Sequence, residues 1–84
     1  MIIKTKNTVL REAAIKWLED NPDKDPQFSA CGNMIFDENE AAEDIGEAII
    51  LAGEKAGFLV VSPEDIVAAV LVAKSLLKLA KAGS

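Results

Sequence analysis

Histidine and tyrosine are both absent from the 84 residues of this sequence. Histidine is the side chain that most often carries out acid–base catalysis near neutral pH, and it is also the commonest metal ligand in proteins. Nucleophilic mechanisms of the Ser-His-Asp and Cys-His kinds require it as well. We therefore expect that the protein is not an enzyme and that it uses no metal ion or other cofactor.

Cysteine is almost absent, because Cys31 is the single thiol in the sequence. One cysteine cannot form a disulfide within the chain, whereas small secreted domains usually depend on several. The basic residues Lys4 and Lys6 are not followed by the apolar run of a signal peptide. These features predict a cytoplasmic protein. No histidine is present to activate Cys31, so we interpret it as a buried or half-buried packing residue.

Long apolar runs are missing too. The longest one covers residues 66–73, which is eight residues, whereas a helix that crosses a bilayer needs about 20. We therefore predict a buried helix in this part of the chain and no association with a membrane.

Positive charge is scarce, because the sequence has 9 basic and 14 acidic residues and a formal net charge of −5. Between residues 19 and 47, ten carboxylates and the one base Lys24 sum to −9, and the other residues, with four acids and eight bases, sum to +4. Affinity for nucleic acid comes mainly from neutralisation of phosphates by Lys and Arg, so a direct nucleic-acid partner is not expected. A basic protein surface is the partner that this charge favours.

The carboxylates do not form a calcium loop. Asp37 and Asn39 begin like an EF-hand loop, but its sixth and twelfth positions are Ala42 and Ala48, where glycine and glutamate are required. The sequence therefore predicts no metal site.

Two families of small helical proteins share some of these features. Acyl-carrier proteins are similar in size, acidity and helical content, but their modified serine follows an aspartate, whereas here Ser62 precedes a proline and Ser75 follows a lysine. Residues 48–71 loosely resemble a helix-turn-helix DNA-binding motif. Its second helix offers Glu64, Asp65 and aliphatic side chains, and not the Arg, Asn or Gln that read bases. The chain is identified with neither family.

Apolar periodicity predicts three helices, at residues 8–20, 37–56 and 63–81. Asn7 or Thr8 is expected to cap the first helix. Asp37 is expected to cap the second, which should end at Gly57. Ser62, followed by a proline and two acids, predicts the start of the third helix.

The segment between the first two helices has two short apolar stretches separated by a Gly-Asn dipeptide, which forms tight hairpin turns. An irregular loop that tucks Phe28, Met34 and Phe36 under the helices is an equal alternative, because an isolated hairpin is marginally stable. The predicted fold class is mainly α. We expect a three-helix bundle in a single domain over residues 1–84, with an irregular or short hairpin segment between helices 1 and 2.

The second helix has an acidic face, whose members lie within about 100° of each other on a helical wheel. These residues are Glu40, Glu43, Asp44 and Glu47. The ordinary interpretation is a solvated face opposite the core. The alternative is a docking face for a basic partner. Like charges four residues apart destabilise a helix by a few tenths of a kcal/mol per pair, and no lysine that would relieve this follows before Lys55.

Glycine occurs three times on one side of the same helix, at Gly46, Gly53 and Gly57. An interior glycine costs about 1 kcal/mol of helix stability relative to alanine. The pattern favours close packing of another helix against these positions, and a flexible element is the alternative.

The third helix is apolar all round in its first half, so we expect it to be covered on nearly every side. Three helices of one chain can hardly do so, so either the loop of residues 27–36 covers the remainder or a second copy of the chain does. Half of the residues are apolar, which is generous for this length. Small chains often gain stability by oligomerisation. We therefore predict a homodimer whose seam is formed by Val67, Val70, Leu71 and Lys74.

Three functions follow as hypotheses. The first is a small protein-interaction module whose acidic face binds a basic protein surface, for example an inhibitor that mimics nucleic acid, as small acidic proteins of phages and mobile elements do. The second is a homodimeric structural or assembly subunit that acts through its apolar third helix. The third and weakest is a DNA-associated regulator that uses Lys4, Lys6, Arg11 and Lys16.

Overall fold

Three helices and one short hairpin make up the part of the chain that the structure describes. A computed structural model of the protein describes residues 5–32, 34–58 and 61–82. Its elements are α1 (Lys6–Asp20), β1 (Phe28–Cys31), β2 (Met34–Asp37), α2 (Glu40–Lys55) and α3 (Pro63–Ala82). The predicted fold class, mainly α with a short hairpin between the first two helices, is confirmed.

α1 begins at Lys6 and not at residue 8, because Thr5 is its cap. The Thr8 backbone N–H donates to Oγ1 of Thr5 at 3.2 Å, which satisfies one of the free donors at the start of the helix. At the other end the Asn21 side-chain amide donates to the carbonyl of Trp17 at 2.8 Å.

α1 is the central element of the core. It packs against both α2 and α3, whereas α2 and α3 contact each other at few positions. The buried core residues are Leu10, Ala14 and Leu18 of α1, Ile45 and Ile49 of α2, and Ala69, Val70 and Ala73 of α3. Full burial of a leucine- or isoleucine-sized side chain stabilises the fold by about 1.5–3 kcal/mol. Packing against α1 therefore buries one side of α2 and one side of α3.

The hairpin is antiparallel, with Phe28 opposite Asp37 and Cys31 opposite Met34. Gly32, in its turn, has a φ of 62°, which glycine adopts without strain; the second turn residue of the prediction, Asn33, lies outside the described residues. Phe28 packs against the core. Met34 and Phe36 are 61% and 45% exposed, so the alternative in which all three were tucked under the helices is wrong.

Asn39, and not Asp37, caps α2, because Asp37 belongs to β2. Oδ1 of Asn39 accepts from the backbone N–H of Ala42 at 2.9 Å and from that of Gln27 at 3.2 Å. Its Nδ2 donates to the carbonyl of Asp25 at 2.9 Å. One side chain therefore starts the helix and holds the segment that leads into β1.

Lys74 of α3 holds the same segment from the other side. Its Nζ donates to the carbonyl of Pro26 at 2.6 Å and pairs with the Asp25 carboxylate at 2.8 Å. The hydrogen bond and the charge of Lys74 lower the pKa of Asp25 below its ordinary value of 3.8. Pro26 itself is buried. The loop before the hairpin is thus seated between the start of α2 and the middle of α3.

α2 ends as predicted, at a glycine in the left-handed region. Gly57 has a φ of 94°, and the next residue, Phe58, donates its backbone N–H to the carbonyl of Gly53 at 2.9 Å. Such a left-handed residue allows the last carbonyls of a helix to find donors.

The start of α3 also follows the prediction, with Ser62 as the cap. Oγ of Ser62 accepts from the Asp65 N–H at 3.2 Å, and Oδ2 of Asp65 accepts from the Ser62 N–H at 3.1 Å. Lys6 of α1 pairs with the same carboxylate at 2.8 Å. A hydrogen bond from Lys6 and one from the Ser62 backbone lower the pKa of Asp65. Asp65 therefore takes part both in the cap of α3 and in the contact between α1 and α3.

The expectation that the first half of α3 is covered on nearly every side is wrong for the single chain. Ala69, Val70 and Ala73 are buried, but Leu71 is 59% exposed and Val72 is exposed as well. Ordinary one-sided packing against α1 accounts for the buried stripe.

Candidate functional site

The acidic face of α2 consists of Glu40, Glu43, Asp44 and Glu47, and all four residues are exposed. Across the described ranges of the chain, none of these four carboxylates has an ion pair or a side-chain hydrogen bond. Asn39, at the start of the helix, holds the backbone but brings no positive charge. The face therefore presents four negative charges without a counter-charge from the described part of its own chain.

Half of this acidic face lines a groove. The groove has a volume of about 570 Å³ and lies between α2, the hairpin and the start of α3. Its apolar lining includes Phe28, Phe36, Ile50 and Ile66, and the acidic residues Asp37, Glu43 and Glu47 line it as well. Glu40 and Asp44 do not line it. We call it the Gly46 groove, after the glycine on its α2 side.

Gly46 is open, in contrast to a second glycine on the same helix. A Cβ added at Gly46 would meet no atom within 4 Å, whereas one at Gly53 would lie 2.9 Å from Cγ2 of Val61 and 3.4 Å from Cδ2 of Leu10. Close packing therefore explains Gly53. It does not explain Gly46, where a helix-weakening residue keeps one wall of the groove free of a side chain.

A second groove lies on the other side of α2, against α1. It has a volume of about 510 Å³, and Trp17 and Leu51 contribute to its apolar lining. Its charged residues are Glu12 and Asp20 on one hand and Lys16 and Lys55 on the other, so its charges balance. We call it the α1–α2 groove.

The four residues of the predicted dimer seam do not form one exposed surface. Val70 is 1% exposed and packs in the core of its own chain, because the phase of α3 turns it towards α1. Lys74 is engaged with Asp25 and Pro26, Val67 is half-buried and Leu71 is exposed. The large apolar residues that the described part of α3 leaves exposed are Leu71, Val72, Leu76 and Leu79. We call these four the α3 stripe.

The basic residues of α1 do not assemble a surface for DNA. Lys6 is paired with Asp65, and Lys6, Arg11 and Lys16 follow one another at five-residue steps, which rotate each by about 140° around the helix. Lys4 lies outside the described residues. Nothing in this arrangement favours the hypothesis of a DNA-associated regulator.

Cys31 is exposed at the end of β1, so its interpretation as a packing residue is wrong. It lies next to the turn of the hairpin and opposite Met34, which is itself exposed. In the described part of the chain, no three acidic or cysteine side chains are grouped closely enough to hold a metal ion. No helix in these same residues has the length and apolar character needed to cross a bilayer.

Sequence reasoning found the acidic face but missed the groove beside it. The groove exists because the hairpin packs on α2, and that contact joins segments whose pairing is not encoded in any local pattern. One signal was available: Glu43, Gly46, Glu47 and Ile50 follow the i, i+3, i+4, i+7 spacing of a single helix side. No family model, curated protein or solved structure matches the chain.

Proposed function

We propose that the protein is a small binding module whose acidic α2 face engages a basic surface of another protein. The observation that carries the proposal is the set of four exposed carboxylates without a counter-charge from the described chain. Glu40/Asp44 and Glu43/Glu47 are like-charge pairs at i, i+4, which weaken the helix. A basic partner would remove that repulsion on binding.

The expected mode of action is electrostatic attraction followed by close contact. Complementary charges raise the association rate and exclude partners of the wrong sign, and both effects weaken as salt screens the charges. One form of this function is an inhibitor that occupies the nucleic-acid site of a basic protein, since carboxylates in a row present negative charge as phosphates do. A basic partner without such a site would be bound by the same chemistry.

The test compares two neutralised variants that have the same net charge. The first replaces Glu40, Glu43, Asp44 and Glu47 by Gln or Asn, and the second does the same at Glu19, Asp20, Asp23 and Glu64, which are also exposed. Each change takes the net charge from −5 to −1 (−5 + 4). The wild type and both variants serve as bait for proteins of the source cell's lysate at low and high salt, with mass spectrometry of what is retained.

We expect basic proteins to be retained at low salt by the wild type and the second variant and lost by the first. High salt should release them from all three. Equal retention by the two variants would contradict a role for the α2 face, because it would show that only total charge matters.

The α3 stripe supports a second candidate, self-association as a structural or assembly subunit. Its four large aliphatic side chains are 42–68% exposed on one helix, and burial of such a surface against a second copy is favourable. Light scattering over a dilution series, with Leu76→Glu as the test variant and Ser75→Glu as the neighbouring control, separates this candidate from the first. A 9.0 kDa monomer at every concentration would rule it out.

A further inference from the structure

The Gly46 groove has one wall that is a regular helical stripe. Glu43, Gly46, Glu47 and Ile50 lie at i, i+3, i+4 and i+7 on α2, so they form one side of the helix over two turns. The middle of this stripe is open at Gly46. Two carboxylates lie beside that opening, and the apolar Ile50, 37% exposed, lies at its end.

The opposite wall repeats this chemistry. Phe28 and Phe36 come from the hairpin and Ile66 from α3, and Asp37 adds a third carboxylate at the end of β2. The groove is therefore lined by apolar side chains together with carboxylates, and the carboxylates come from both of its walls. A volume of about 570 Å³ falls in the range of roughly 300–1,000 Å³ that is usual for sites that hold a ligand.

These features define the partner's contact segment. An occupant needs apolar side chains along its middle, to cover Ile50 and Phe36, and cations along both flanks, to meet the three carboxylates. An amphipathic basic helix has that pattern, and helices are commonly bound in such grooves through apolar residues at i, i+3, i+4 and i+7. A glycine in the facing helix lets the two backbones approach closely.

We infer that the Gly46 groove binds a basic amphipathic helix of the partner protein, with its apolar side over Gly46 and its Lys or Arg residues at Asp37, Glu43 and Glu47. The inference rests on the proposed function and sharpens it. Attraction to the acidic face alone would accept any basic surface. The groove adds a requirement for apolar residues in helical register.

The test uses two synthetic peptides of the same composition. One is an 18-residue Leu/Lys peptide with leucines at helical i, i+3, i+4, i+7 spacing, and the other is its scrambled isomer, which has equal charge but no apolar side. Affinities are measured at low salt for the wild type, for Gly46→Leu and for Ala48→Leu. The Gly46→Leu change fills the groove without altering any charge and meets open space, whereas Ala48→Leu places the same side chain in the α1–α2 groove.

We expect the wild type to bind the ordered peptide at least tenfold more tightly than the scrambled one. Gly46→Leu should remove that preference and Ala48→Leu should keep it. Equal binding of the two peptides by the wild type, or an unchanged preference in Gly46→Leu, would overturn the inference that the Gly46 groove binds a helix. The proposal that the acidic face binds a basic surface would still stand. No binding of either peptide by the wild type would overturn both.

Amide shifts in ¹⁵N spectra of the wild type provide a measurement that does not depend on any variant folding. On addition of the ordered peptide, the largest shifts are expected at Phe36, Gly46 and Ile50. Shifts confined to Glu40 and Asp44, which do not line the groove, would overturn the inference but not the proposed function.

Discussion

The two grooves that flank α2 have nearly equal volumes, about 570 and 510 Å³, and very different charge. The charged side chains that line the Gly46 groove are all carboxylates, those of Asp37, Glu43 and Glu47. The α1–α2 groove carries as many bases as acids. Both offer apolar surface, so size and apolar character do not distinguish them. The comparison teaches that the two grooves differ in the sign of the charge that lines them. Charge of one sign would attract a partner of opposite charge and repel one of like charge.

Charge reversal in the Gly46 groove should have the largest effect. Replacing Glu43 and Glu47 by Lys should weaken binding of the ordered Leu/Lys peptide about 100-fold, which is roughly 2.8 kcal/mol, since two attractions become repulsions. Fluorescence anisotropy titrations at low salt would measure the loss. The same number of reversals in the α1–α2 groove, Lys16→Glu with Lys55→Glu, should change the affinity less than threefold. Equal losses from both pairs of reversals would mean that the grooves are not selective.

Two glycine substitutions would show whether the Gly46 groove is empty space. Gly53→Ala should destabilise the fold by about 1–3 kcal/mol, because its Cβ would lie 2.9 Å from a Val61 methyl. Gly46→Ala should stabilise it by up to about 1 kcal/mol through helix propensity. Urea unfolding followed by circular dichroism gives both values. A destabilised Gly46→Ala protein would show that the groove is packed in solution.

The α3 stripe provides a control for the comparison of the two grooves, because it is an apolar surface without an acidic edge. Leu76→Glu should weaken self-association about tenfold or more, as a buried leucine contact is replaced by a charge. It should leave the affinity for the ordered peptide unchanged. Analytical ultracentrifugation at two protein concentrations, with Ser75→Glu as the control, would report the association. Loss of peptide binding in Leu76→Glu would instead show that the α3 stripe and the Gly46 groove both take part in binding the peptide.

A smaller effect on the stability of the fold is expected from pH. It acts on the loop before the hairpin, and the hairpin forms one wall of the Gly46 groove. Lys74 lowers the pKa of Asp25 below 3.8, so this pair adds stability above pH 3.8 and loses it as the pH falls through the lowered value. Asp25 is exposed, and solvent keeps the contribution small. Urea midpoints between pH 7 and pH 2.5 should fall less steeply for Asp25→Asn than for the wild type. Identical slopes would show that the pair does not stabilise the loop.

The sequence predicted the elements that depend on local signals. Apolar periodicity located three helices, Ser62 and Gly57 marked a helix start and a helix end, and the wheel placed four acids on one face. The cap of α2 was missed because Asn39 was chosen by its contacts with Asp25 and Gln27, which lie fourteen and twelve residues earlier. Asp37 satisfied the local rule equally well.

The phase of α3 was beyond local reasoning for a different reason. When a helix is apolar on all sides, its sequence does not show which side meets the core. Val70 and Leu71 could therefore not be distinguished from the sequence. Packing against α1 buried the first and exposed the second. The Gly46 groove was missed on the same grounds, since its far wall comes from a hairpin whose position on α2 only the folded chain defines.

The central position of α1 has a consequence for the order of folding. α1 contacts both other helices, but its contacts with α3 join segments far apart along the chain, and such distant contacts form late and slowly. During synthesis, α1 and α2 can associate while α3 is still being made, and the surface of α1 that packs against α3 then faces solvent. A chaperone that recognises exposed aliphatic helices would find this intermediate and not the finished protein.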